Sequence, residues 1–342
     1  MKIHEKYMKR CLELAKNGLP NAMPNPSVGA VIVCDDKIVG EGYTSAYGGP
    51  HAEANAIRSV KDQSLLKKST LYVSLEPCSH FGKTPPCCDL IIKHEIPTII
   101  VGTVDTNSKV SGTGIQKIIA SGKTVIIGVL EQECIESNKR FFTFHNKKRP
   151  YIILKWAQSQ DGFIAPTNEF RKDLEANERK PYWISNTFSR QLVHKWRSEE
   201  QAILVGTQTV IDDNPKLDVR DWTGKNPVKI VLDQRNRISK ENYIFGNTSK
   251  TIVLTANEID YTQKIGKQIA DFLFDNAIQS VIIEGGRQTL QTFIDENLWD
   301  EARVFKGSIL IENGVKAPEL HSKETIRKSI LEDELLIFRN HD

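Results

Sequence analysis

Residues 70–88 read TLYVSLEPCSHFGKTPPCC, and their reading decides the architecture of the first half of the chain. TLYVSL is a short apolar, β-branched run, the pattern of a buried strand. Pro77-Cys78 and Cys87 then flank a loop, and an apolar stretch near 87–95 continues as a helix. Upstream, His51-Ala52-Glu53 opens a helix near 52–60. Before it, strands Val28–Val33 and Lys37–Tyr43 form a hairpin turned at Asp35-Asp36. A helix from about Ile3 to Lys16 carries Tyr7, Met8, Cys11, Leu12 and Ala15 on one face. Downstream, strands at 98–102 and 124–129 alternate with a helix near 112–121. Strands alternating with helices predict a three-layer α/β/α domain.

At 342 residues the chain has the length of two domains. Hydrophobic residues make up 39% and charged residues 26%, which excludes collagen-like and wholly disordered classes. With 46 Lys+Arg against 43 Asp+Glu, the net charge of +3 points to no nucleic-acid partner. The N-terminus MKIHEKYMKR lacks the apolar core of a signal peptide. Runs such as VGAVIV and TIIVG fall far short of the ~20 residues that span a bilayer, so no membrane partner and a cytoplasmic location are expected. In a reducing compartment Cys11, Cys34, Cys78, Cys87, Cys88 and Cys134 are poor disulfide candidates. Three of them crowd together beside histidines, which favours metal binding.

The segment FFTFHNKKRP (141–150) turns abruptly from apolar to basic, placing a boundary near 146 and domains at 1–146 and 147–342. Beyond it YIILKW, AILVG, VKIVLD, TIVLT and SVIIEGG read as strands. Helices near 186–197, 262–273 and 287–297 separate them, and late strands fall near 301–311 and 334–339. The second half is α/β as well. The charged stretch from Ala165 to Lys180 reads as a surface insertion. No G-x-G-x-x-G opens a βαβ unit here, so a Rossmann fingerprint is missing. Gly285-Gly286, between a strand and a helix, is a weaker anion cradle that an ordinary turn explains equally well.

One histidine and two thiolates would leave the fourth tetrahedral position of zinc open to water, as in catalytic and not structural sites. Glu53, two residues from His51 and not itself a ligand, is placed to carry protons. The zinc-deaminase signature is H-x-E followed by P-C-x-x-C; here the cysteine gap is eight residues, SHFGKTPP. Cys88 competes with Cys87 as a ligand. His80 could approach the metal but reads better as a substrate-facing residue.

PNPSVGAVIV (24–33), GGPHAEANAI (48–57), LEPCSHFGKTPPCCDLI (75–91) and DTNSKVSGTG (105–114) resemble the deaminase domain of the bifunctional riboflavin-biosynthesis deaminase/reductase family. LKWAQSQDGFIA (154–165), WISN (183–186), AILVGTQTVIDDNPKLDVR (202–220), PVKIVLD (227–233) and IIEGGRQTL (282–290) resemble its reductase domain. The resemblance implies a cytidine-deaminase-like domain followed by a dihydrofolate-reductase-like domain. It makes His51, Cys78 and Cys87 the zinc ligands and Glu53 the proton shuttle. Asn25 is expected on the pyrimidine ring, with Asp105 and Asn107 near the ribose phosphate. NADPH is expected at Ala157, Trp183, Thr209, Asp213, Gly285 and Gly286. The phosphorylated substrate is expected at Arg197, Leu217, Arg220 and Glu284. Lys155, in a core strand, and Glu284, at the end of another, could both polarise or protonate a reacting imine. Lys155 and Glu284, both at strand positions, could equally form a buried structural bridge. Thr44 departs from the family, which usually has His there.

The expected substrate is 2,5-diamino-6-(5-phosphoribosylamino)pyrimidin-4(3H)-one, deaminated and then reduced at its ribosyl group. The expected cofactors are one zinc ion per chain and NADPH. A homo-oligomer, dimer or tetramer, is the expected assembly. A nucleic-acid base deaminase with an accessory domain would want a basic groove and stacking platforms, which +3 and 8% aromatics do not favour. A zinc-stabilised binding module would not need Glu53.

Overall fold

The computed structural model describes residues 2–82, 84–105, 112–167, 182–246 and 249–340. The chain divides into two compact units, Met1–Lys148 and Arg149–Asp342.

The first unit is built on a five-stranded sheet. β1 (Gly29–Cys34), β2 (Lys37–Tyr43), β3 (Thr70–Leu75), β4 (Thr98–Thr103) and β5 (Thr124–Ile127) lie in the order β2-β1-β3-β4-β5. β1 runs antiparallel to β2 and β3, while β3, β4 and β5 are parallel. Both faces are covered, so every residue of β1 is buried. Alternate side chains go to opposite cores, as the period of a strand requires. Val31 and Val33 pack with Tyr7, Met8, Cys11 and Leu14 of α1 (Lys2–Ala15). Ala30 and Ile32 pack with Ala52, Ala56, Ile91 and Ile118 from α2 (Ala52–Ser59), α3 (Cys87–Lys93) and α4 (Thr113–Ala120). The result is the expected α/β/α sandwich. α2 lies hard against β2: a β-carbon on Gly42 would strike the backbone of Ala52 and Ala56.

α5 (Glu131–Ser137) and α6 (Lys139–Lys147) close this unit. The boundary expected near 146 falls inside α6. Its Phe141, Phe142 and Phe144 are buried, so what reads as a change of character is an amphipathic helix of the first unit.

The second unit carries an eight-stranded sheet in the order β10-β9-β8-β11-β6-β12-β15-β14. These are β6 (Tyr151–Gln158), β8 (Ala202–Gly206), β9 (Val228–Leu232), β10 (Thr251–Leu254), β11 (Ser280–Ile283), β12 (Glu301–Lys306), β14 (Glu324–Ile330) and β15 (Asp333–Arg339). All pairs are parallel up to β12; β15 and β14 are antiparallel. Ile153, Ile203, Val205 and Ile282 pack on one face with Val193 and Trp196 of α7 (Thr187–Glu199). Leu154, Leu204 and Ile283 pack on the other with Ile269 and Leu273 of α9 (Ile265–Asp275) and Leu290 and Phe293 of α10 (Arg287–Asp295). A short α8 (Thr207–Asp213) follows β8, and β7 (Phe163–Pro166) pairs with β13 (Gly314–Lys316).

Several details correct the sequence reading. The strand expected over 301–311 ends at Lys306, and β7, β13, β14 and α8 were not expected. β14 is charged and mostly exposed at the sheet edge, where nothing demands an apolar face. The expected insertion from Ala165 to Lys180 lies mostly outside the described residues. Among the described residues no helix is long and apolar enough to cross a membrane.

Candidate active sites

In the first unit, His51 precedes the first turn of α2, Cys78 follows the turn out of β3, and Cys87 opens α3. His51 Nδ1 lies 3.5 Å from Cys78 Sγ and 3.5 Å from Cys87 Sγ. The three ligand atoms lie within 4.8 Å of one another. Cys87 N–H donates to Cys78 Sγ at 3.3 Å, and Cys88 N–H donates to the Cys78 carbonyl at 3.1 Å. These bonds fold the long SHFGKTPP loop back so that sequence-distant thiols meet. Cys88 turns away: its thiol approaches Asp89 Oδ1 at 3.6 Å and its side chain is buried with Ile91 and Ile118.

The electrostatics of the three donors suit a cation. The Cys87 thiol hydrogen-bonds to Cys78 and, with His51, holds the Cys78 thiol well below its usual range, while Cys87 itself is pushed up. Thiolate is the form that binds a cation, so a metal here would displace the thiol protons. Glu53 is 4% exposed, and burial, aided by the Cys78 thiolate, pushes its carboxyl up to about 7.

Glu76, between β3 and Pro77, was missed by the sequence reading. Its buried carboxylate accepts from four backbone N–H groups: Asp105 at 3.2 Å and Gly112 at 3.0 Å through Oε2, Gly114 at 3.0 Å and Ile115 at 3.4 Å through Oε1. Both edges of segment 106–111 are thereby tied to the strand that delivers Cys78. Asp105 is half-buried at one of these edges; Asn107 lies outside the described residues. Asn25 is half-buried before β1, and His80 is exposed on the cysteine loop. Thr44 is buried, and its Oγ1 accepts from Val28 N–H at 3.0 Å, joining the outer ends of β1 and β2.

In the second unit a cavity of about 720 Å³ gathers the expected reductase residues. Lys155, Ala157, Trp183, Arg197, Thr209, Asp213, Leu217, Arg220, Glu284, Gly285 and Gly286 all line it. They come from β6, the segment before α7, α7, α8, the segment after α8 and the β11–α10 turn. That is the carboxyl end of the parallel strands, where open α/β sheets hold their ligands. A β-carbon on Gly285 would fall 2.9 Å from Thr289 Cβ, so the turn must present bare backbone. Leu217 sits at φ 51°, a left-handed conformation costly for a bulky residue.

At the back of this cavity Glu284 holds two cations. Arg197 Nε and Nη2 reach its two carboxylate oxygens at 2.9 and 2.8 Å, and Lys155 Nζ lies 3.4 Å from Oε2. Burial opposes ionisation of Glu284, but Arg197 and Lys155 outweigh it and hold the carboxyl down at about 2. Burial lowers the Lys155 pKa against the pull of Glu284. Arg197, expected on the phosphorylated substrate, is committed to Glu284 and to the Asp218 carbonyl at 3.2 Å. Arg220, its side chain 44% exposed, bonds Asp218 Oδ1 at 2.8 Å.

Residues 150–336 match the family described as the RibD C-terminal domain, and residues 1–103 match the cytidine and deoxycytidylate deaminase zinc-binding region. The riboflavin biosynthesis protein RibD of Aquifex aeolicus is 39% identical over 335 residues, covering 93% of this chain and 90% of that one. The chain belongs to the RibD family. RibD of Bacillus amyloliquefaciens is 36% identical, covering 94% of this chain and 89% of its own. A solved structure from Thermotoga maritima, a diaminohydroxyphosphoribosylaminopyrimidine deaminase/5-amino-6-(5-phosphoribosylamino)uracil reductase, superposes with a TM-score of 0.88. It is 36% identical, and 99% of each chain is covered.

As a RibD-family chain it is a bifunctional enzyme of riboflavin biosynthesis, a zinc-dependent deaminase followed by a reductase that uses NADPH. Both groups fit the residues present. The soft Nδ1, Sγ, Sγ donor set suits zinc. The cavity volume, the bare Gly285-Gly286 turn and Trp183, 52% exposed with Arg190 stacked 4.6 Å away, suit a dinucleotide.

Proposed function

We propose that the first unit hydrolytically deaminates 2,5-diamino-6-(5-phosphoribosylamino)pyrimidin-4(3H)-one and that the second reduces the ribosyl group of the product to ribityl. The observation that carries this reading is a pair of proton-handling groups, each buried beside the place for its partner. Glu53 lies by the His51, Cys78 and Cys87 donors; Lys155 lies in the cavity on Glu284.

His51, Cys78 and Cys87 would hold zinc, which supplies a Lewis acid that acidifies water. Glu53 would take one proton from the attacking water and pass it to the ring nitrogen, then take the second from the hydroxyl of the adduct and pass it to the amino group, which leaves as ammonia. Its raised pKa suits a carboxyl that must both take and give a proton near neutrality. Asn25 is read as a contact to the pyrimidine, and His80, Asp105 and Asn107 as contacts toward the phosphoribosyl arm.

Ala157, Trp183, Thr209, Asp213 and the Gly285-Gly286 turn would hold NADPH, which supplies hydride to C1′ of the ring-opened sugar. Lys155 Nζ donates the proton that the imine nitrogen needs as it becomes an amine. Glu284, itself gripped by Arg197, holds Lys155 in place. Arg220, at the open side of the cavity, and Leu217 take the phosphorylated substrate, with Arg220 on the phosphate.

Incubating the purified protein with the diaminopyrimidine phosphate tests this directly. Ammonia release without NADPH, followed by NADPH oxidation once it is added, is the expected order. Arg220→Ala should weaken substrate binding by about 1.5–3 kcal/mol, and Asp213→Ala should chiefly raise the NADPH constant. NADPH oxidation with no ammonia release would overturn the order of steps. The site thiols must stay reduced to bind metal, which supports a cytoplasmic setting. An assembly of two or four copies is also proposed; Ile119, Ile126 and Ile127, exposed by the sheet edge at β5, support it, and sedimentation equilibrium tests it.

A further inference from the structure

Around Arg220 the charges are distributed unevenly. His194 stands one turn before Arg197 on α7, is 3% exposed and lines the same cavity. Its Nδ1 lies 2.9 Å from the Asp218 carbonyl oxygen. A carbonyl can only accept, so Nδ1 carries a hydrogen and Nε2 is the nitrogen whose proton comes and goes. Nε2 lies 3.1 Å from Asp221 Oδ2, and Arg220 Nε lies 3.8 Å from that same oxygen. One carboxylate oxygen therefore sits between an imidazole and a guanidinium.

The imidazole and the guanidinium are each held a second time, whereas Asp221 is the more open partner. Asp218 holds His194 through its carbonyl and Arg220 through Oδ1 at 2.8 Å. The Asp221 side chain is 55% exposed, and an ion pair this open to solvent contributes little to stability. Burial, then Arg197 and Arg220, hold the His194 pKa below its ordinary value, and Asp221 pulls against them. The imidazole thus gains most from an anion that approaches from the cavity side.

We infer that His194 Nε2 and Arg220 together bind the phosphate of the reductase substrate, and that the Asp221 carboxylate stands where a phosphate oxygen goes and must swing out to admit it. The inference rests on the reading that Arg220 faces the phosphate. It adds a binding residue, His194, and a competing internal anion, Asp221.

The test is calorimetric titration of the full chain with ribose 5-phosphate, with free ribose as control. His194→Asn keeps an amide N–H at the Nδ1 position for the Asp218 carbonyl and lacks Nε2. It should weaken ribose 5-phosphate binding about tenfold and raise the substrate KM with kcat little changed. His194→Gln, which places an amide nitrogen near the Nε2 position, should recover part of the loss. Asp221→Ala should bind ribose 5-phosphate roughly three- to tenfold more tightly, with no change for free ribose. Unchanged binding in His194→Asn, or no tightening in Asp221→Ala, while Arg220→Ala still weakens binding, would overturn the inference and leave the phosphate on Arg220. Wild-type binding no stronger than that of free ribose, or no loss in Arg220→Ala, would overturn both.

Discussion

Arg197 grips Glu284 with both arms of its guanidinium, Nε to Oε1 at 2.9 Å and Nη2 to Oε2 at 2.8 Å, although the residues stand 87 positions apart. The fork ties α7 to the end of β11 across the back of the reductase cavity. Because all three charges are largely withdrawn from solvent, removing any one leaves the others under-compensated.

Acid should therefore weaken the second unit in a definite window. The Glu284 carboxyl is held at about 2 against an ordinary 4.5, so its contribution is fully present above about 4.5 and is lost as pH falls toward 2. The size is about 3 kcal/mol. Urea midpoints measured from pH 6 to pH 2.5 should show the loss, and Glu284→Gln should flatten that part of the curve. An equal slope in wild type and variant would mean that Glu284 titrates normally.

One zinc ion should bind per chain. Cys78→Ser or Cys87→Ser should abolish it and Cys88→Ser should not, because Cys88 is packed in the core and lies outside the three-donor group. Metal analysis of the three variants decides the matter. Full zinc in Cys87→Ser with loss in Cys88→Ser would exchange the two thiols.

Glu53→Gln should retain zinc and fold yet lose ammonia release by at least about 10²-fold, since an amide cannot relay protons. NADPH-dependent reduction of pre-deaminated substrate should survive in the same preparation. Ammonia release near the wild-type rate would remove Glu53 from the proton path.

A fragment from residue 147 onward should fold and reduce deaminated substrate, because every expected reductase residue lies beyond it. The cut must spare Arg149, whose Nη1 and Nη2 reach the buried Asp300 carboxylate at 2.6 and 2.8 Å. A fragment starting at 151, or Arg149→Met in the full chain, should lose about 3–5 kcal/mol of second-unit stability. Thermal melts of the two fragments make the comparison.

Glu76→Gln should lower first-unit stability by about 1–3 kcal/mol, since one of its oxygens becomes an amide facing backbone donors. The KM for deamination should rise while zinc content stays full. An unchanged melt and KM would mean that the four N–H groups find water instead.

How much of this was legible depends on what each element asks of its residues. β1, β3 and β4 are buried on both faces, so their apolar runs announced them. β14, ETIRKSI, has no buried face to declare, and α8 spans seven residues, too short for a periodicity. His51, Cys78 and Cys87 were legible because few other arrangements of such side chains serve a purpose. Glu76 was not, since a carboxylate that reads backbone leaves no partner residue type to recognise. The commitment of Arg197 to Glu284 was hidden too: a guanidinium fits carboxylate and phosphate equally well, and distance along the chain does not say which is near.

Among the described residues, the Glu76 carboxylate holds the edges of this segment through main-chain N–H groups. Such an anchor is blind to side-chain identity. Positions 105 and 115 can therefore change residue type without loosening it, provided neither becomes proline, which has no N–H to offer. The edges of the segment expected to meet the sugar phosphate stay tethered while its chemistry is free to drift, so substrate preference could evolve here without a refolding of the zinc site.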